Sequence, residues 1–417
     1  LRIALASEGT RGDIDPLLAL AERFRERGHD AFLCAPPDFA ADATARQLEF
    51  HAIGRSVREF MHAQSEAVAR GGLALLLSIR DYLASALADQ FEQLPDAARG
   101  ADLIIGAGVQ AAAASTAELY GLPYRYVVFC PTLLPSPEHP PVFLPLARST
   151  SWLNRRLWSL IRTAFNLGMR RALNRHRSAL GLAAVSDLLT HLLSERPVLA
   201  VDPLIGALPT RCPLRFDSIP CLHPFDARPL PEKLKAFLDS GPPPVYLGFG
   251  SMTDPAPATT TRILLEVVSR CGCRALISEG WATLGAGALP EGVLPLGAVS
   301  HPALFRRVAA VVHHGGAGTT TTAARAGVAQ IVVPHLLDQH YWAQRVQQLG
   351  IGAPPIRRRR LTADRLADTL AAMLDNELVA ERAARLGARL REQLGADPTA
   401  VFLASERARD GSGRPCR

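Results

Sequence analysis

Long apolar runs are absent from this chain of 417 residues: none reaches the roughly 18 residues that crossing a bilayer takes. A basic-then-apolar leader is absent too, because Arg2 to Ala6 already reads as a strand, and a cytoplasmic protein is expected. Cysteine is sparse and odd in number, seven residues scattered at 34, 130, 212, 221, 271, 273 and 416. Cys271-Gly-Cys273 is the only close pair and no second pair completes a zinc site, so reduced, packing thiols are expected. Short-period repeats are missing. The formal excess of +7 comes almost entirely from arginine. No aromatic-interleaved basic patch accompanies it, which leaves nucleic acid without a binding motif. A hydrophobic content of 48% and a length beyond one ordinary core describe a globular protein of two domains.

The first third alternates strand-like and helix-like segments. Arg2 to Ala6, Ala31 to Cys34, 101–106 and 124–130 read as strands, and Pro16 to Arg27, closed by Gly28, as a helix. Such alternation implies right-handed crossovers and a parallel, doubly wound sheet. Residues 131–145 are proline-rich and read as a loop. Prolines recur through 219–244 as linker chemistry does. Alternation then resumes at Val245-Tyr-Leu-Gly-Phe, Ala275-Leu-Ile-Ser, Ala310-Val-Val and Gln330-Ile-Val-Val. The expected division is 1–218, a linker at 219–244, a second α/β unit at 245–398, and a last segment at 399–417 whose end, 410–417, is disordered.

Residues 313–319 read His-His-Gly-Gly-Ala-Gly-Thr, after the apolar run 308–312 and before a Thr/Ala-rich helix start at Thr320. Strand, glycine turn and helix N-terminus make an anion seat, because free N–H groups and the helix dipole face the ligand. Neither Gly-x-Gly-x-x-Gly nor a Walker Lys-Ser/Thr is present, which disfavours a dehydrogenase or an NTPase. Asp338-Gln339, 20 to 21 residues beyond Gly318, suits vicinal hydroxyls. A phosphate seat followed by polyol partners points to a nucleotide-sugar.

This combination resembles the donor signature of the family 1 glycosyltransferases, in the bacterial branch that glycosylates antibiotics, macrolides and sterols. It is most similar to the glycopeptide-antibiotic enzymes, from Arg2 through Gly352. The resemblance implies GT-B: two Rossmann-like doubly wound parallel-sheet domains facing across a cleft, with the last helix (399–409) returning to the first. It also implies that Ser251, His314, Gly316, Gly318 and Thr319 hold the donor diphosphate and that Asp338 and Gln339 bind the sugar. Val299 would meet the base through its backbone. Trp281 would offer it an aromatic face, or else pack in the core. The aromatic of plant members is missing near Leu296, and Thr322 stands where plant-like members place a glutamate on the ribose. The choice between UDP and TDP therefore stays open.

The turn Ser7-Glu-Gly-Thr-Arg-Gly-Asp13-Ile-Asp15-Pro16 lies where open sheets bind ligands. Pro16 suits a first helical position and Asp15 an N-cap. In similar bacterial enzymes the aspartate matching Asp13 is the proposed general base, needed because a neutral hydroxyl attacks poorly. Asp13-x-Asp15 also spells a metal-binding Asp-x-Asp, which the N-cap role of Asp15 argues against. No metal and no cofactor is expected, the nucleotide-sugar being a co-substrate.

Residues 56–92, the loop 131–145 and the helices after it are the expected acceptor side, and the apolar segment 72–79 favours a large lipophilic acceptor. Leu153, Leu157, Leu160, Ile161, Ala164 and Leu167 fall at helical spacing among arginines. That helix would pack on its own domain, or rest weakly on an anionic membrane. The reading is an inverting, metal-independent glycosyltransferase, monomer or dimer. A non-catalytic sugar-nucleotide or lipid binder and a GT-B epimerase are the alternatives.

Overall fold

The computed structural model describes residues 1–66, 72–144, 149–222, 229–393 and 397–404. The first sheet has seven parallel strands: β1 (Arg2–Glu8), β2 (Asp30–Ala35), β3 (Glu49–Ala52), β4 (Leu103–Gly108), β5 (Tyr124–Val128), β6 (Val198–Ala200) and β7 (Asp217–Ile219), ordered β3-β2-β1-β4-β5-β6-β7. The second has five: β8 (Val245–Gly248), β9 (Ala275–Ser278), β10 (Val293–Leu296), β11 (Ala310–His313) and β12 (Ala329–Val332), ordered β10-β9-β8-β11-β12. Every ladder between the described strands is parallel, with Ile3 opposite Ala31 on one side and Leu103 on the other. Helices cover both faces, so consecutive residues such as Ile3, Ala4, Leu5 and Ala6 are all buried.

Each sheet reverses its winding once, between β1 and β4 in the first and between β8 and β11 in the second. At such switch points the loops beyond the strands' carboxyl ends part and leave a crevice. The two most informative turns of the sequence, after β1 and after β11, are the loops at these two places.

The first helix begins earlier than the position of Pro16 suggests. It spans Arg11–Glu26 with Thr10 as N-cap, and Pro16 lies inside it. Asp15 is therefore not the cap; it lies 3.4 Å from the guanidinium of Arg11, one turn back. The second glycine turn is likewise shorter than expected. Its helix runs Ala317–Ala326 from Gly316, so Gly318 and Thr319 belong to the first helical turn rather than to the loop. The proline-rich stretch is more than a tether: it carries a helix, Glu232–Asp239, whose Leu234 and Leu238 pack with Tyr246 and Leu276 of the second sheet.

The two units share a core. Helix Gln339–Gln348 carries Trp342, fully buried among Tyr126, Val128, Val201 and Ile205 of the first unit. Ala207 N–H donates to the Tyr341 hydroxyl (2.8 Å), and Arg345 Nε donates to the carbonyl of Ile205 (2.7 Å). Residues 397–404 come back to the first helix, where Phe402 meets Phe24 in a T-shaped contact at 6.0 Å and Asp397 pairs with Arg27. The tail 410–417 and Cys416 lie outside the described residues, as do the side chains of 72–79. The six described cysteines are free thiols. No described helix is long and apolar enough to cross a membrane.

Candidate active site

Asp13 stands in the first turn of helix Arg11–Glu26, where Thr10 and Asp13 form a capping box: Thr10 N–H donates to Asp13 Oδ2 at 2.9 Å and Gly12 N–H to Thr10 Oγ1. That bond fixes the carboxylate at the carboxyl end of β1. Space for it is made by glycine. Gly9 takes a φ of +156°, and a side-chain carbon there would sit 2.1 Å from Asp13 Oδ2. On the neighbouring strand, a carbon at Gly108 would come 3.3 Å from Asp13 Cβ. Burial pushes the Asp13 pKa up to about 7, against the Thr10 bond, and the charge of Asp338 across the cleft raises it further. The group is poised near neutrality, as a general base requires.

On the other side, β11 leads into the glycine turn. His313 is fully buried. Its Nδ1 accepts from Gly315 N–H at 3.1 Å while Nε2 faces the amide oxygen of Gln330 at 2.9 Å, so it shapes the turn from behind. His314 projects the other way, between two glycines. Side-chain carbons at Gly250 and Gly316 would lie 2.9 Å from its Cε1 and 2.6 Å from its Nε2. Its Nδ1 is buried and unpaired. Burial, then the neighbouring His301, lowers its pKa to about 4, so it is a neutral imidazole at physiological pH. Helix Ala317–Ala326 starts beside it with no side-chain cap and no acid in its first turn. Free N–H groups, a helix dipole and an unpaired imidazole thus converge on one spot, which is chemistry for an anion.

Gly315, at φ +93°, would bring a side-chain carbon 2.6 Å from Val332 and 3.0 Å from the carbonyl of Gln339. Its bareness lets the loop after β12 lie directly on the glycine turn. One strand–helix–strand crossover therefore brings Gln339, with Asp338 just before it, onto the glycine turn. Burial raises Asp338 to about 6, opposed by the indole N–H of Trp342, which donates to its Oδ2 at 3.1 Å.

Two family descriptions match. Residues 3–135 fit the glycosyltransferase family 28 N-terminal domain, and residues 275–406 fit the C-terminal domain of proteins like erythromycin biosynthesis protein CIII. Vancomycin aglycone glucosyltransferase of Amycolatopsis orientalis is 39% identical over 401 residues, covering 93% of either chain. The dTDP-epi-vancosaminyltransferase of the same organism is 34% identical over 92% of either chain. The chain belongs to the vancomycin-type glycosyltransferase family. Its fold is GT-B: the solved glycosyltransferase VinC in complex with dTDP aligns with a TM-score of 0.67 at 20% identity, over 99% of this chain and all of that one.

Within this glycosyltransferase the remaining expected residues divide by placement. Ser251 is buried at the turn after β8, beside Gly250 and near His314. Thr319 is partly exposed in the first turn of helix Ala317–Ala326. Gln339 is buried and braces the loop: its amide oxygen accepts from His335 and Leu336 N–H at 2.8 and 3.1 Å. Trp281 donates its backbone N–H to the Gly250 carbonyl, which ties its loop to the turn after β8, but the residue is 8% exposed and belongs to the core. Val299 is partly buried against Leu296 and Phe305. Thr322 donates its hydroxyl back to the Gly318 carbonyl at 2.8 Å.

One buried group escaped sequence reading. Glu8, at the end of β1, is 2% exposed and accepts from the Tyr82 hydroxyl at 2.5 Å and from the Gln90 amide. Gln90 in turn accepts from Ala111 N–H at 2.7 Å. Burial raises the Glu8 pKa against those two donors. An acid beside a glycine turn reads as an exposed loop residue, and no local pattern marked it.

Proposed function

We propose that this glycosyltransferase moves a sugar from a nucleoside-diphosphate-sugar, UDP or TDP, to a hydroxyl of a lipophilic natural-product or sterol-like acceptor, with inversion. The observation that carries the reading is that the charge of Asp338 acts on Asp13 of the first unit, while Gln339, the next residue, lies on the Gly315 turn. The acceptor oxygen attacks the anomeric carbon while its proton passes to Asp13 Oδ2 or Oδ1. The C–O bond to the diphosphate breaks in the same displacement, and its electron pair leaves with the nucleoside diphosphate. An α-linked donor would give a β-glycoside. Charge growing on the leaving group is met by N–H groups of the helix at Ala317 and by His314, already aligned in the resting protein. Asp338 and Gln339 bind the sugar hydroxyls. Ser251 adds a hydroxyl beside the diphosphate, and the 299 region and the Trp281 loop flank the base.

The relatives named for a dTDP-sugar and for a dTDP complex favour TDP as the donor base, and the relative named for an antibiotic aglycone favours a glycopeptide acceptor. A resident metal is not part of the proposal. Asp13 and Asp15, two apart on a helix, point to different partners, Thr10 and Arg11, and no cluster of three ligating side chains is found among the described residues. The test is single-turnover chemistry with UDP- and TDP-sugars against a glycopeptide aglycone and a sterol, with and without EDTA. A β-glycoside formed in EDTA supports the reading. Donor bound without release of nucleoside diphosphate, sugar altered without acceptor, or loss of activity in EDTA would each overturn it.

A further inference from the structure

Helix Ser151–Ala179 has 29 residues and seven arginines, and not one acid. Its inward face holds it to the first unit: Asn154 and Trp158 are buried, with the Trp158 indole N–H donating to the carbonyl of His139 at 3.1 Å and the Asn154 amide to that of Pro137 at 3.0 Å. The apolar set expected to form one stripe is split by the structure. Leu153, Leu157 and Ile161 turn inward, whereas Leu160 (63% exposed), Leu167 (78%) and Trp152 (61%) face solvent. These three are among only seven large apolar side chains exposed in the described residues. At 100° per residue they share an arc of about 80° over about 22 Å of helix. Arg155, Arg156, Arg171 and Arg175 are exposed around them, with the Arg156 guanidinium 5.7 Å from the Trp152 ring.

We infer that this face seats the enzyme on an anionic lipid surface: Trp152, Leu160 and Leu167 enter the acyl boundary and the arginines meet the headgroups. Packing on its own domain accounts for the inner face of the helix and leaves the outer face unexplained. Arg162 and Arg177 of the helix pair with Asp187 and Glu118, whereas no ion pair is described for Arg155, Arg156, Arg171 or Arg175. Apolar residues ringed by such cations suit a negative interface, where indole and guanidinium both sit well at headgroup depth. A second copy of the chain would set like charge against like across the same patch. The helix is tied to the loop that leaves the carboxyl end of β5, so the surface lies on the acceptor side. A lipophilic acceptor dissolved in a bilayer would then be delivered to the cleft rather than extracted from water. This last step rests on the proposed acceptor class; lipid binding itself does not.

Sedimentation with phosphatidylcholine vesicles, with and without about a third phosphatidylglycerol, tests it. The full chain should pellet with the anionic vesicles only, and raising salt from about 0.05 to about 0.5 M should release it. The triple change Trp152→Ser, Leu160→Ser, Leu167→Ser and, separately, Arg155→Gln with Arg156→Gln should each weaken binding at least about tenfold. Far-UV circular dichroism and the affinity for nucleoside diphosphate should stay unchanged. No binding to anionic vesicles at low salt would overturn the inference, as would equal binding by the variants. A wild-type dimer that the triple change converts to monomer would assign the face to a second copy and also overturn it. If lipid binds but no sugar is transferred to any acceptor, the surface stands and the transferase reading falls.

Discussion

A side-chain carbon at Gly9 would lie 2.1 Å from Oδ2 of Asp13, nearer than any unbonded contact allows. The bare backbone at 9 and the carboxylate at 13 therefore form one device, in which glycine keeps the floor of the crevice open and the capping bond from Thr10 aims the acid. Gly9→Ala must push the carboxylate aside. Turnover is expected to fall on the order of a hundredfold, since about 1 Å of misplacement at a reacting group costs that much. Binding of nucleoside diphosphate, on the far side of the cleft, should be unaltered in calorimetry. Weakened nucleotide binding in this variant would mean that the whole fold had moved.

Asp13 titrates near pH 7 because burial opposes its charge. The proposed role as base requires the ionised carboxylate, so kcat/KM should drop about tenfold per unit as pH falls below about 7. Stability runs the other way. A folded pKa above the ordinary 3.8 means that the native state holds the proton more tightly, so the contribution is whole below that value and lost as pH rises through 7. Asp13→Asn should therefore be inactive yet more stable than the parent at pH 8, by roughly 1–2 kcal/mol after screening by water in the cleft. Thermal melts at pH 8 and pH 4 check the sign: the advantage should vanish at the lower pH.

The unpaired Nδ1 of His314 makes a third prediction, on the donor side. An orphaned, neutral donor beside a helix N-terminus gains a partner only when an anion arrives. His314→Ala should weaken nucleoside diphosphate binding about ten- to a hundredfold, the value of one lost hydrogen bond to a charged group. His314→Gln should recover part of it. Unchanged affinity and turnover in the alanine variant would remove His314 from the diphosphate site.

What the sequence made legible were features with a local signature. The run from 308 to 319 announces strand, turn and helix because glycine at 315 has no substitute at φ +93°. Asp338 lies one crossover later because adjacent parallel strands must be joined that way. The first helix starts before the expected place because Pro16 mimics a first helical residue, whereas the capping signal is Thr10 with an acid three residues on. The strands β6 and β7 have three residues each, too short for periodicity to register. The burial of Trp281 and the cleft charge that reaches Asp13 from Asp338 are set by residues far away in the chain, which no local window contains.

Glu8 belongs to that last group, with partners 74 and 82 residues away in Tyr82 and Gln90. It yields a prediction that separates charge from shape. In Glu8→Ala the Tyr82 hydroxyl loses its acceptor and the Gln90 amide keeps only the Val109 carbonyl at 3.2 Å. A buried donor left unpaired costs about 1–3 kcal/mol, so urea unfolding should show a loss of that size. Glu8→Gln keeps one acceptor for Gln90, and the Tyr82 hydroxyl can turn to accept from the new amide, so its loss should stay below about 1 kcal/mol. Gln90 also holds Ala111 N–H, beside the Gly108 turn that walls Asp13, so Glu8→Ala should raise KM for the acceptor more than it lowers kcat. Equal losses in the two variants would mean that the carboxylate's charge, not its place in the hydrogen-bond relay, is what the crevice uses.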